Sequence, residues 1–210
     1  MKLKIDLHVH TTDSNDAFVL QEEIPAVLKE RGLDGAAITN HDVFSGVAPS
    51  EAIILPGIEV STRQGHITGI GVTGPIARGK SADDTISEIQ RDGGVAIVVH
   101  PYDLASPCVR PFQLESRPDA LEVINADALF FRLNTSLARR AAERLGLPMV
   151  GGSDSHIPET IGDAYTAVES RSTTMEDILS AIRAGQVEPV GGPTALAKKL
   201  LKLGRTLRSL

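Results

Sequence analysis

Val95-Ala96-Ile97-Val98-Val99-His100-Pro101 is the stretch that decides how this chain folds. Five apolar residues in a row, four of them β-branched, leave no side that could face water. Such a strand is covered on both faces, as in a parallel sheet flanked by helices. The histidine and proline that follow end the strand on a chemically capable group. Working outward, residues 4–8 and 35–39 read as further strands, running into His8 and His10 and into Asn40-His41-Asp42. Residues 52–60 and 67–72 are β-like and interrupted by glycine, and 120–124, 148–151, 164–168 and 187–190 supply the remaining strands. Helical spacing lies between them. Residues 21–31 place Ile24, Val27 and Leu28 on one face, with Pro25 putting the true start near Glu23. Residues 81–91 open on Ser81 as cap with Asp83 and Asp84 in the first turn, and 136–145 and 174–184 complete the set. Alternation at this density predicts an α/β fold with a mostly parallel sheet. Polar groups that follow several different strands favour a barrel over a doubly wound sheet. His66 precedes its strand, which fits if that strand runs antiparallel.

The length of 210 residues is that of one domain. No run approaches 18 apolar residues, so no transmembrane helix is expected. The N-terminus acquires Asp6 and two histidines at once, unlike a secretory signal. A single cysteine, Cys108, excludes an internal disulfide and a cysteine-based zinc finger. These features point to a cytoplasmic protein. Residues 193–210 contain five cations and no acid, leaving the rest with 16 basic against 27 acidic side chains, a balance of −11. An acidic body argues against a broad nucleic-acid surface, and 3% aromatic residues argue against base stacking. The chain therefore divides into a domain over 1–192 and a basic tail over 193–210. The tail's Leu196, Leu200, Leu203 and Leu207 lie beside its lysines as an amphipathic helix. Such a helix most often packs on its own barrel; membrane or partner binding is the less common use.

Six histidines carry the functional argument, and none falls in a helical apolar stripe. His8 and His10, two apart at a strand end, project to one side, and Asp154 and His156 repeat that geometry. Two such pairs at two strand ends are what a polynuclear metal site needs. Imidazole and carboxylate donors suit zinc, manganese or iron better than magnesium or calcium.

Six motifs, in order, resemble the PHP (polymerase and histidinol phosphatase) family. They are Asp6-Leu7-His8-Val9-His10-Thr11, Ile38-Thr39-Asn40-His41-Asp42, Pro56-Gly57-Ile58-Glu59-Val60-Ser61, Gly65-His66-Ile67, Val99-His100-Pro101 and Gly152-Ser153-Asp154-Ser155-His156. The resemblance implies a distorted (β/α)7 barrel and a metal-dependent phosphoesterase. It also implies nine ligands for two or three metals. His8, His10, Glu59 and Asp154 would hold one, Glu59 would bridge to a second completed by His66 and His100, and Asp16, His41 and His156 would hold the third. Asp16 is preferred to Asp13 for its spacing from His10 and because the family places His or Asp there.

Asp6 is expected to orient a ligand histidine or, equally, to serve as a turn residue at the strand start. Asn40 stands where relatives often carry Asp in Thr-Asp-His-Asp, and an amide cannot serve His41 as an anionic partner. Arg63, Arg78, Arg110 and Arg132 are candidates for gripping phosphate. The expected function is hydrolysis of a small phosphorylated metabolite or nucleotide by metal-activated water. The alternatives are a non-catalytic or regulatory metal-binding PHP module, told apart by missing ligands, and an amidohydrolase-type metal hydrolase, which also opens on His-x-His.

Overall fold

The computed structural model describes residues 1–47 and 49–209. Among these residues nine strands form one sheet: β1 (Lys2–Val9), β2 (Gly35–Ile38), β3 (Ile53–Ser61), β4 (His66–Ile70), β5 (Val95–Val98), β6 (Ala120–Asn125), β7 (Met149–Gly152), β8 (Ala164–Glu169) and β9 (Val187–Gly191). Their order is β7-β6-β5-β4-β3-β2-β1-β8-β9. The neighbours β1, β2 and β3 are parallel, as are β5, β6 and β7. Between the two sets, β4 runs antiparallel to both β3 and β5. The sheet curls until β7 meets β1. A parallel bridge joins Val9 to Ser155, His10 N–H donates to the Ser155 carbonyl at 2.9 Å, and Ser153 N–H donates to Asp6 Oδ1 at 2.9 Å. Seven strands thus enclose a nearly closed barrel, extended past β1 by antiparallel β8 and β9.

Helices α1 (Ile24–Arg31), α2 (Ala82–Arg91), α3 (Phe131–Leu145) and α4 (Met175–Arg183) follow β1, β4, β6 and β8. The other barrel connections are a loop, a hairpin and a loop with a single 3-10 turn, and this is how the barrel departs from regular strand–helix alternation. As the sequence suggests, α1 has Pro25 in its first turn and ends on Gly32 in the left-handed region. Ser81 caps α2 by accepting from Asp84 N–H. Helix α3 starts five residues ahead of the expected position. Its preceding residue, Phe130, is left-handed at φ 57° and makes no side-chain cap, so nothing in the sequence marks that start.

One apolar cluster joins Ile5 and Leu7 of β1 to Leu55, Ile70, Ile97 and Val150 on the other strands and to Ile178, Leu179 and Ile182 of α4. A second lies under α1, around Val9, Leu28 and Ile38. The C-terminal helix α5 (Leu196–Ser209) meets the barrel through cations. Lys198 pairs with Asp163, Lys199 and Lys202 with Asp127, and Arg205 with Glu159. Among the described residues, no helix is long and apolar enough to cross a membrane.

Barrel closure leaves no room at Gly152. A Cβ there would lie 2.5 Å from His8 Cβ and 2.8 Å from Glu122 Oε1. Gly152→Ala should therefore force β7 from β1 and cost about 1–3 kcal/mol, read as a lowered thermal midpoint. An unchanged midpoint would contradict this closure.

Candidate metal centre

All six histidines gather at one end of the barrel. His8 lies in β1 and His10 just past it, where the pairing of β1 with β2 shifts register between Asp6 and Val9; such irregularities re-aim side chains. His41 follows β2, Glu59 lies near the end of β3, His100 follows β5, and Asp154 and His156 follow β7. The β3–β4 hairpin explains His66. Ser61 pairs with His66 across it, so the start of the antiparallel strand lies beside the ends of the parallel ones.

The nine side chains converge around Glu59, which is fully buried. Its Oε2 lies 3.6 Å from His8 Nε2 and 3.5 Å from His10 Nε2, while Asp154 Oδ1 lies 3.6 Å and 3.3 Å from the same two nitrogens. Donors about 2.0–2.1 Å from a tetrahedral zinc stand roughly 3.4 Å apart, so each of these histidine–carboxylate pairs has the spacing of two donors on one metal, and His8, His10 and Glu59 converge as a cup. Its other oxygen, Oε1, lies 3.0 Å from both His66 Nδ1 and His100 Nε2. Asp16 Oδ2 approaches His156 Nε2 at 3.3 Å and His41 Nε2 at 3.7 Å. The groups are contiguous rather than separate, because His41 Nδ1 lies 2.8 Å from Glu59 Oε2. His8 Nε2, His10 Nε2, Glu59 Oε2 and His66 Nδ1 are buried without a hydrogen-bond partner. Unpaired buried polar atoms are costly. Converging here, they fit a cation.

The supporting contacts differ from the sequence reading. Asp6 does not touch a histidine ring. Its Oδ1 accepts from the backbone N–H groups of His8 and Ser153 and its Oδ2 from Gly162, so it fixes the main chain at the β1–β7 closure. The carboxylate on His8 Nδ1 is Glu122, at 3.1 Å. Glu122 also accepts from His100 N–H and from Asn125 Nδ2, which in turn donates to Asp154 Oδ2. The signal for Glu122 was a lone acid within the apolar run of β6, since a buried charge needs a partner. Asn40 makes no contact with the His41 ring. Its amide oxygen accepts from Thr11 N–H and Ser14 Oγ, and its nitrogen donates to Thr11 Oγ1 and Ser45 Oγ, pinning the loop after β1. Ser14 Oγ passes this support on, 3.4 Å from His10 Nδ1. Asp13 turns away and accepts from Ser45 Oγ.

Among the described residues, none of Arg63, Arg78, Arg110 and Arg132 forms an ion pair with the cluster. All four are exposed, and Arg78 pairs with Asp42 at 3.5 Å. Among the described residues, three of the four non-glycine residues with positive φ lie at the site or beside it: Asp42, His100 and Asp154. Strained backbone of this kind persists where surrounding structure enforces it.

Without bound cations, the histidines and acids tune one another. Burial opposes a charge on His8, but Asp154, Glu122 and Glu59 overcome it and raise its pKa well above the usual value. Burial and then the neighbouring His156 hold His10 down to about 3. Burial works to raise Glu59 and Asp154, yet the surrounding imidazoles, His8 foremost, keep both ionised well below the usual range. Asp6 is pushed up to about 6 by burial, restrained by the N–H donors around it.

A family model described as PHP-associated matches residues 133–187. An uncharacterized protein of Methanocaldococcus jannaschii is 31% identical over 143 residues, covering 59% of this chain and 82% of that protein. A probable phosphatase of Shewanella piezotolerans is 27% identical over 208 residues, covering 80% and 84%. In fold, the chain is similar to a two-domain Bacteroides vulgatus protein containing a predicted PHP-like metal-dependent phosphoesterase. The TM-score is 0.70 at 18% identity, over 98% of this chain and 70% of that one. It is also similar to endonuclease Q bound to a duplex with an abasic lesion, with a TM-score of 0.68 at 16% identity, over 91% of this chain and 60% of that one. With its motifs in order on this barrel, the chain belongs to the PHP family of metal-dependent phosphoesterases.

The role of Asp6 can be tested apart from metal. At neutral pH its carboxylate accepts three backbone N–H groups; Asp6→Asn would turn an N–H toward at least one of them. The variant should lose about 1–3 kcal/mol in urea denaturation. Equal stability would show that the closure does not rest on this acid.

Proposed function

We propose that this chain hydrolyses a small phosphorylated metabolite or nucleotide using two or three transition ions, zinc, manganese or iron. The observation that carries the reading is the division of labour on Glu59. One oxygen forms a cup with His8 and His10, whose nitrogens also meet Asp154, while the other faces His66 and His100. In this reading Asp16, His41 and His156 hold a third ion. Divalent ions bound there would polarise a phosphoester and activate water for in-line attack. The chain's own part is to bind and orient. Glu122 holds the His8 ring through Nδ1, leaving Nε2 for the cup, and the Asp154 carbonyl oxygen holds His156 Nδ1 at 2.9 Å. Three ions at +6 would meet −3 from Glu59, Asp16 and Asp154, and the surplus attracts a phosphate dianion. The acidic body favours a small substrate over duplex DNA; the likeness to endonuclease Q is one of fold.

Three measurements test this. Purified protein should hydrolyse a chromogenic phosphoester, lose that activity to a chelator and regain it with manganese or zinc. Full activity after chelation would refute the reading, and metal binding without hydrolysis of any phosphoester in a panel would favour the non-catalytic module. Glu59→Ala should lower the metal-to-protein ratio by two ions and His156→Ala by one; equal losses would refute the bridge. Glu122→Gln keeps an acceptor for His8 but removes its charge, and should weaken metal affinity about 10–100-fold in competition titrations. Unaltered affinity would show that Glu122 serves the fold alone.

A further inference from the structure

Helix α5 is dressed the wrong way round for a surface helix. Its cations face the barrel, with Lys202 on Asp127 at 2.8 Å, Arg205 on Glu159 at 2.6 Å, and Lys198 on Asp163. Its leucines face outward: Leu196, Leu200, Leu203 and Leu207 are 71%, 58%, 53% and 64% exposed. A fixed apolar stripe of this kind marks a surface awaiting a partner.

We propose that this leucine face pairs with the same face of a second copy of the chain, antiparallel about a two-fold axis. Spacings of four, three and four residues make a heptad-like seam, which an identical helix can interdigitate. Ala197 and Gly204, seven apart along the helix, leave the backbones free to approach. Charge sets the orientation. Among the described residues of α5, Arg208 is the cation without an acidic partner, and antiparallel pairing puts the two copies of it at opposite ends. Charge also disfavours a bilayer. An interfacial helix sets cations beside its apolar face to meet anionic headgroups, whereas these cations are turned inward onto acids of a body whose balance is −11.

The area sets the strength. At about 100 Å² per leucine, the four leucines of the stripe offer on the order of 400 Å² per copy. A standard interface takes about 800 Å² from each partner and weak, transient pairs take under about 600 Å², so the seam fits a weak, reversible dimer.

Sedimentation of the full chain between roughly 1 and 100 µM tests the pairing, the range bracketing Kd values of weak dimers. We expect twice the 22.3 kDa monomer mass, falling to the monomer mass in L200K/L203K with its circular dichroism unchanged. Unmodified protein that stays monomeric throughout overturns the proposal, whether or not it floats with phosphatidylglycerol vesicles; so does a folded variant that remains dimeric. Orientation is read by oxidation in a Cys108→Ser background. Leu196→Cys and Leu207→Cys proteins, mixed, should form a disulfide-linked dimer that neither forms alone. Linkage of each alone would overturn the antiparallel arrangement.

Discussion

The Glu59 carboxylate is fully buried, stays ionised, and has histidines on both of its oxygens. A charge in that position is tolerable only when it is paired, because desolvation costs several kcal/mol or more. The imidazoles of His8, His41, His66 and His100 meet the need in part, yet four of the buried atoms around the carboxylate lack hydrogen-bond partners. Much of the surrounding architecture follows from holding that group in place. Glu122 within β6 and Asn125 at its end brace His8 and Asp154 on one side. The Asn40–Ser14 contact braces His10 on the other.

The barrel supplies the convergence that this arrangement requires. Parallel strands deliver His8, Glu59, His100 and Asp154 to one rim, and a single antiparallel strand brings His66 to the same rim from the opposite chain direction. Closure between β1 and β7 brings the two pairs of closely spaced ligands together. It depends on Asp6 accepting main-chain N–H groups from both sides of the seam and on the missing Cβ of Gly152. The fold and the centre therefore share their supporting residues.

Much of this was legible in the sequence. The apolar run of residues 95–99 gave a covered strand, and histidines at strand ends gave a barrel rim. The position of His66 hinted at the antiparallel strand that β4 proves to be. Other features left little trace. Glu122 reads as one acid in an apolar run, and its role depends on which strand lies next to β6. Asp6 and Asn40 neighbour ligand histidines in sequence, yet what they hold is the main chain and hydroxyl groups around the β1–β7 closure and the loop after β1, contacts that depend on residues distant in the chain. In α5 the pattern of leucines and lysines is plain, but which face meets the barrel is decided by Asp127, Glu159 and Asp163, acids far away in the chain.

Diffraction from metal-loaded crystals, recorded at the absorption edge of the bound ion, tests whether Glu59 joins two cation sites in a cluster of up to three. Anomalous peaks are expected on either side of the Glu59 carboxylate, one among His8, His10 and Asp154 and one beside His66 and His100. At full loading, a third is expected among Asp16, His41 and His156. A fully loaded crystal with peaks on only one side of Glu59, or with none among these nine side chains, would contradict that role of Glu59.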